Sequence, residues 1–177
     1  MIRKYAIFGA ICFSFLFAYS ASASSAGEIA YSDDGKPLPV SDPAMGPQTA
    51  PIPPNALNLP KKIVVDLSTQ SLSYYYGDQY KVGEFKISSG LPRTPTPVGT
   101  FQIQSKIPIK AYAGRNYYLP NTKWNLKITS AGHYIHGAYW HNNFGRPMSH
   151  GCVNVSYADM SSLYSFADVG TSVIIRR

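Results

Sequence analysis

A mainly β domain with one short helix is what this sequence predicts, on three observations. Fourteen of its 177 residues are Tyr, a residue that suits pleated, half-buried surfaces. From residue 61 onward, short apolar or alternating runs are broken by Gly, Pro and Asp. A capping-box pattern, Ser156 followed three residues later by Asp159, opens the one stretch with helical spacing. The length favours one domain, and a hydrophobic fraction of 45% is enough for a packed core.

The elements follow in order. Arg3 and Lys4 precede an uncharged, mostly apolar run from Tyr5 to Tyr19, and Ala21-Ser22-Ala23 is a small-residue cleavage pattern. Together these describe a secretory signal peptide over residues 1–23. The run of about 15 residues is shorter than the roughly 20 that span a bilayer, which disfavours an anchor, although retention of the segment stays open. Cys12 lies inside the run, which argues against a lipoprotein. No later stretch reads as a membrane span, so the expected location is the periplasm or cell envelope. Cleavage after Ala23 would take the formal charge from +7 to +5. A modest positive balance suits an anionic polymer or lipid surface, or serves solubility alone. Without clustered Lys and Arg among aromatics, nucleic acid is not an expected partner.

Residues 24–60 hold eight of the fourteen prolines and read as an extended linker. The folded domain is expected over 61–177. Ile63 to Leu67 is a run of strand length. Leu72, Tyr74 and Tyr76 alternate with Ser73 and Tyr75, Gly77-Asp78 breaks the run, and Val82 to Ser88 resumes it: a hairpin signal. After a Pro-rich turn at Pro92, Pro95 and Pro97, Gly99 to Gln104 alternates again. Ser105 to Trp124 has mixed aromatics, two prolines and no clean period, and is expected to be a long excursion or lid. Leu126 to Ile128, His133 to His136 and Val173 to Ile175 read as further short strands. Met160, Leu163 and Tyr164 recur at helical spacing after Ser156, and Asp168 and Gly170 end that helix.

Signal removal would also take away Cys12 and leave Cys152 as a lone thiol. A lone thiol cannot form an intramolecular bridge and is a liability in an oxidising compartment unless it does chemistry. Cys152 sits in Ser149-His150-Gly151-Cys152-Val153-Asn154, with His136-Gly137 upstream. A thiol needs a base to become a nucleophile, and an imidazole can take its proton and later return it to a leaving amine. His136 is expected at a strand end with Gly137 allowing a sharp turn. Gly151 would let backbone N–H groups approach a substrate carbonyl, and these, with the N–H of Cys152, could stabilise an oxyanion.

This block resembles the S/T-H-G-C-x-N signature of the L,D-transpeptidase (YkuD-type) catalytic domain, and His136-Gly137 is similar to the family's H-G element. Lys62 to Tyr76 resembles its first hairpin. Thr94-Pro95-Thr96-Pro97-Val98-Gly99-Thr100-Phe101 is similar to its T-P-x-G-x-F segment, and the stretch from His136 to Ser149 also looks like family sequence. The resemblance covers about 61–177. It implies an L,D-transpeptidase-type β-sandwich or barrel with one short helix after the cysteine and a lid loop. It implies that Cys152 attacks the carbonyl between an L-centred residue, usually meso-diaminopimelate, and D-Ala in a peptidoglycan tetrapeptide stem. An amine would resolve the thioester, giving 3→3 cross-links or attachment of a protein to the wall. By match Cys152 is the nucleophile and His136 the acid/base, with a backbone carbonyl as orienting partner. Ser149, His150, Gly151, Asn154 and Gly137 would shape the substrate and oxyanion pocket. No cofactor is implied.

Other readings stand beside these. An L,D-carboxypeptidase or hydrolase of the same fold would use water as acceptor, and a catalytically silent wall-binding module would not need the thiol. A zinc site drawn from His133, His136, His141, His150 and Cys152 lacks any recognised ligand spacing, so no metal is expected. His133 and His141 read as ordinary polar or pocket-wall residues. Tyr117, Tyr118, Trp124, Tyr139 and Trp140 could line a groove or simply pack. Arg146 could pair with a stem carboxylate or be a solvated loop residue. Acceptor and oligomeric state are left open.

Overall fold

Strand β1 (Lys61–Asp66) buries Ile63 and Val65, and its neighbours answer in register. In β2 (Ser71–Tyr76), Tyr74 lies opposite Ile63 and Leu72 opposite Val65. On the other side, β9 (Ser172–Arg176) runs parallel to β1 and sets Val173 and Ile175 against the same two residues. The period of two seen in the sequence thus delivers one apolar layer across three strands. Each such side chain contributes about 1.5–3 kcal/mol on full burial.

A computed structural model describes residues 51–114 and 117–177. The expected signal peptide and most of the Pro-rich stretch lie outside the described residues. Pro54–Asn58 forms a short 3-10 turn whose Ala56 is buried, so packed chain begins several residues before Lys61. No helix among the described residues is long and apolar enough to cross a membrane.

The remaining strands are β3 (Tyr80–Ser88), β4 (Gly99–Gln102), β5 (Ser105–Gly114), β6 (Tyr117–Lys127), β7 (Tyr134–Ala138) and β8 (Val153–Ser156). All nine form one mixed sheet in the order β4-β9-β1-β2-β3-β8-β7-β6-β5. The two outermost strands, β4 and β5, are consecutive in the chain and separated only by Ile103 and Gln104. The sheet must therefore curl until its two edges meet there, an open barrel in keeping with the expected architecture. Helix α1 (Tyr157–Phe166) starts at Ser156, whose side chain accepts from the Asp159 N–H at 3.1 Å. It fills the curl with Met160, Leu163 and Phe166, and the Phe166 ring meets Tyr74 and Tyr76 at 4.9 and 5.1 Å.

One expectation is corrected. The segment 105–124 is not an irregular excursion but most of the β5–β6 hairpin. Its irregularity to the eye has physical causes. β5 is an edge strand, where Pro108 needs no ladder partner. Pro120 lies outside the part of β6 that pairs with β7, which is only Asn125–Lys127. A register shift between Lys110 and Tyr112, and positive φ at Asn121 (55°) and Trp124 (57°), break the alternation.

Candidate active site

The register of β7 and β8, which run parallel, sets the site. His136 lies opposite Asn154, and β8 begins directly after Cys152. Val153, Val155 and Ile135 are buried in the core. Alternation puts Cys152, Asn154, Tyr134 and His136 on the opposite face. The row extends both ways, because Ser88 of β3 pairs with Asn154 and Asn125 of β6 pairs with His136. Ser88, Asn154, His136 and Asn125 thus form one transverse polar row on four adjacent strands, each at most 3% exposed.

Such a row is costly unless hydrogen-bonded. Ser88 Oγ donates to the Asn143 carbonyl at 3.0 Å. Asn125 Nδ2 donates to the carbonyls of Ile107 and Thr122 at 3.0 and 2.8 Å, and its Oδ1 accepts from the Tyr112 hydroxyl at 2.8 Å. His136 Nδ1 lies 2.9 Å from the Gly137 carbonyl oxygen. A carbonyl only accepts, so Nδ1 carries the proton and Nε2 keeps its lone pair. Asn154 Nδ2 lies 3.0 Å from His141 Nε2, and Asn154 Oδ1 has no partner among the described residues. His141 Nδ1 accepts from the Asn143 N–H at 3.3 Å, which puts the His141 proton on Nε2. The amide orientation that satisfies both groups therefore turns Asn154 Oδ1, not Nδ2, toward His141.

Burial governs the titration of the pair. It pushes His136 down to about 4; His141 acts in the same direction and the Gly137 carbonyl opposes. Burial also raises the Cys152 thiol, outweighing the Tyr134 backbone N–H and the Lys110 charge, which both favour the thiolate. At neutral pH thiol and imidazole are both uncharged. The arrangement is an uncharged thiol and an uncharged imidazole on one face, not a preformed ion pair.

The loop before Cys152 is locked from two sides. Ser149 Oγ accepts from the Gly151 N–H at 3.1 Å and donates to the Cys152 carbonyl at 2.5 Å. Ser89 O accepts from the N–H groups of Met148 and Ser149. Thr94 Oγ1 reaches the Ser149 carbonyl at 3.3 Å and buried Thr96 accepts from the Gly90 N–H at 2.8 Å. Gly151 has φ +115°, and a Cβ there would meet the His133 ring at 3.2 Å. Only glycine suits that backbone.

The β5–β6 hairpin covers the face. Tyr112 stacks on His136 with centroids 4.7 Å apart and meets Tyr134 edge-on at 5.6 Å. Lys110 Nζ stands 4.9 Å from the Tyr112 ring centre and 5.7 Å from that of Tyr134. Near the hairpin tip, Tyr117 stacks on His150 at 4.8 Å. A neutral imidazole, a thiol just before the neighbouring strand and an aromatic cover make a site suited to acyl transfer through sulfur.

Comparison with known proteins agrees. The model of the L,D-transpeptidase catalytic domain (YkuD) family matches residues 60–175. This chain belongs to the L,D-transpeptidase catalytic-domain family. It is 32% identical over 112 residues to "Probable L,D-transpeptidase 3" of Mycobacterium tuberculosis, covering 53% of this chain and 39% of that protein. Among solved structures it is similar to an L,D-transpeptidase from Mycobacterium tuberculosis H37Rv, with TM-score 0.62 and 28% identity over 66% of this chain and 57% of that one. It is also similar to a cysteine-to-serine mutant of an Enterococcus faecium L,D-transpeptidase, with TM-score 0.61 and 31% identity over 66% of this chain and 50% of that one. The chain spans well under half the length of the curated relatives it matches.

Within this L,D-transpeptidase domain the residues named from sequence separate by environment. Cys152, His136 and Asn154 share one face. Ser149 is buried and braces the loop. Gly151 N–H is occupied by Ser149, so of the backbone donors expected around Gly151 and Cys152 this one is turned into the loop's own brace. Gly137 is not at a sharp turn. It sits inside β7, which continues to Ala138, and a Cβ there would lie 2.5 Å from the Tyr157 ring. Its role toward His136 is its carbonyl. His150 is exposed on the outer wall under Tyr117. His133 packs its ring on Gly151 and holds Thr129 Oγ1 at 2.9 Å through Nδ1. Tyr139 donates to the Pro120 carbonyl at 2.9 Å, Trp124 packs on Tyr157, Trp140 lies 5.8 Å from His136, and Tyr118 is exposed. Sequence reasoning missed Asn125, Tyr112 and the His141–Asn154 pair. Asn125 carried a usable signal, an amide inside an otherwise strand-forming stretch; the others depend on strand pairing that no local pattern reveals.

Proposed function

We propose that this protein is an exported L,D-transpeptidase that acts on the tetrapeptide stems of peptidoglycan through a Cys152 thioester. The observation that carries this reading is the setting of His136. It is buried under Tyr112, and its Nδ1 proton is fixed on the Gly137 carbonyl, which leaves the lone pair on Nε2. Family membership supplies the substrate class.

In the proposed reaction His136 Nε2 takes the Cys152 proton as sulfur adds to the carbonyl that joins the L-centre of diaminopimelate to D-Ala. A neutral starting pair suits this, because charge then develops only along the reaction coordinate. The Cys152 N–H is the backbone donor best placed in sequence to meet the oxyanion. Collapse breaks the C–N bond, and the imidazolium gives its proton to the departing D-Ala amine. An acceptor amine then adds to the thioester, passes its proton to His136, and displaces the thiolate, which is reprotonated. Asn154, braced by His141, would fix the distal wall of the pocket, and Ser149 would hold the nucleophile loop. The β5–β6 hairpin is proposed to act as the lid that excludes water from the thioester. Signal-directed export brings the domain to its substrate.

Incubation of the purified mature protein with tetrapeptide muropeptides, followed by mass spectrometry, tests the reading. Cross-linked dimers with loss of one D-Ala per link are expected. Tripeptide monomers alone would assign a carboxypeptidase, and unchanged muropeptides would contradict acyl transfer altogether.

A further inference from the structure

We infer that Lys110 receives the carboxylate of the D-residue that leaves the donor stem. This rests on the functional reading above, which already takes tetrapeptide stems, and adds a residue that would read their terminal carboxylate.

Lys110 is a half-buried cation without a counter-charge among the described residues. The described chain holds five acidic residues, all engaged elsewhere. Asp168 pairs with Lys61, Asp78 with Lys62, Glu84 with Lys81 and Asp66 with Arg176. Asp159 caps α1 through Ser156. Among the described residues the ammonium's hydrogen bond goes to the carbonyl of its own neighbour, Ala111, at 3.3 Å. Otherwise it faces two rings, Tyr112 and Tyr134. An ammonium has three donors, and two π faces and one carbonyl do not neutralise it.

Its position gives that charge a use. The ammonium lies 4.9 Å from the centre of the Tyr112 ring, and that ring in turn stacks on His136, so the charge stands on the hairpin that covers the face carrying His136 and Cys152. In a stem with one residue beyond the scissile bond, the terminal carboxylate is three bonds from the attacked carbon, roughly 3–4 Å away. It therefore enters the same cleft as the sulfur. One further residue would move the carboxylate about 3.5 Å along the chain and present a neutral amide instead. Arg146, the cation that the sequence suggested for this task, is exposed on the loop before Met148.

Two measurements on the mature protein test this with Lys110→Met, which keeps the apolar stem over the rings, and Lys110→Arg, which keeps the charge. The first compares alkylation of Cys152 by iodoacetate and by iodoacetamide, with Cys152→Ser as the blank. Wild type should favour the anionic reagent relative to free cysteine. Lys110→Met should lower that preference roughly five- to tenfold, as expected for one partly desolvated charge contact, and Lys110→Arg should keep most of it. The second compares kcat/KM for a tetrapeptide stem and its C-terminal carboxamide. Wild type should prefer the free acid, and Lys110→Met should lose the preference mainly through the free acid. An unchanged ratio in either pair, or equal slowing of both members, would overturn the inference and leave Lys110 acting on the thiol alone. An iodoacetate preference that needs Lys110, without turnover of either stem, would instead reject the stem as ligand and the functional reading with it.

Discussion

The ring of Tyr112 lies on the imidazole of His136, 4.7 Å between centroids and 29° from parallel, and its hydroxyl donates to Asn125 at 2.8 Å. One hairpin residue thereby covers the base and satisfies the amide that pairs with it in register. Tyr112→Phe keeps the cover but strands Asn125 Oδ1 in a buried row. It should cost about 1–3 kcal/mol of stability with little loss of turnover. Tyr112→Ala uncovers the ring, so the His136 pKa should climb from about 4 toward its ordinary 6.5. An NMR titration of the histidines reads this, and an unmoved His136 would mean that the hairpin does not bury it.

Burial of neutral His136 has a consequence for stability. Its folded pKa, about 4, lies below the ordinary 6.5, so between those values the unfolded chain binds the extra proton. Stability should rise with pH across that window, by at most about 1.4 kcal/mol per unit from this group, and flatten above it. His141, lowered by its own burial, adds in the same direction. Urea unfolding from pH 4 to 7 checks the slope, and His136→Gln should reduce it.

The two motif histidines should separate cleanly. His136→Gln removes the base and should lower kcat by about 100- to 10,000-fold. His150 is exposed and stacked on Tyr117, and His150→Gln should stay within a few-fold of wild type. Because burial raises the thiol, alkylation of Cys152 should follow an apparent pKa above the ordinary 9.0. A thiolate already formed near neutrality would contradict the uncharged pair.

The sequence and the structure agree where period and burial coincide. Ile63 and Val65, Leu72 and Tyr74, and Val173 and Ile175 announced strands because each lies in one half-buried layer. Ser156 announced α1 because a cap is a local hydrogen bond. The motif named Cys152 and His136 through resemblance. The β5–β6 hairpin was not legible as strands, since an edge strand carrying Pro108 and a register shift has no buried face to impose a period. The polar row of Ser88, Asn154, His136 and Asn125 was hidden for another reason. It exists only through register across four strands distant in sequence.

If the hairpin acts as a lid, hydrogen exchange should see it. The amides of 112–114 and 117–118 should exchange fast in free enzyme and slow when Cys152 is acylated, whereas those of β1, β2 and β9 should be protected in both states. Equal, strong protection of the hairpin in both states would make it a fixed wall.

The central claim is that Cys152 carries the acyl group and His136 moves its proton. Intact-mass analysis of the mature protein mixed with a tetrapeptide stem tests it most directly. Wild type should gain the mass of the stem less D-Ala, localised to Cys152 and discharged by an acceptor amine, while His136→Gln acylates far more slowly and Cys152→Ala not at all. Release of D-Ala by Cys152→Ala at the wild-type rate would contradict the account.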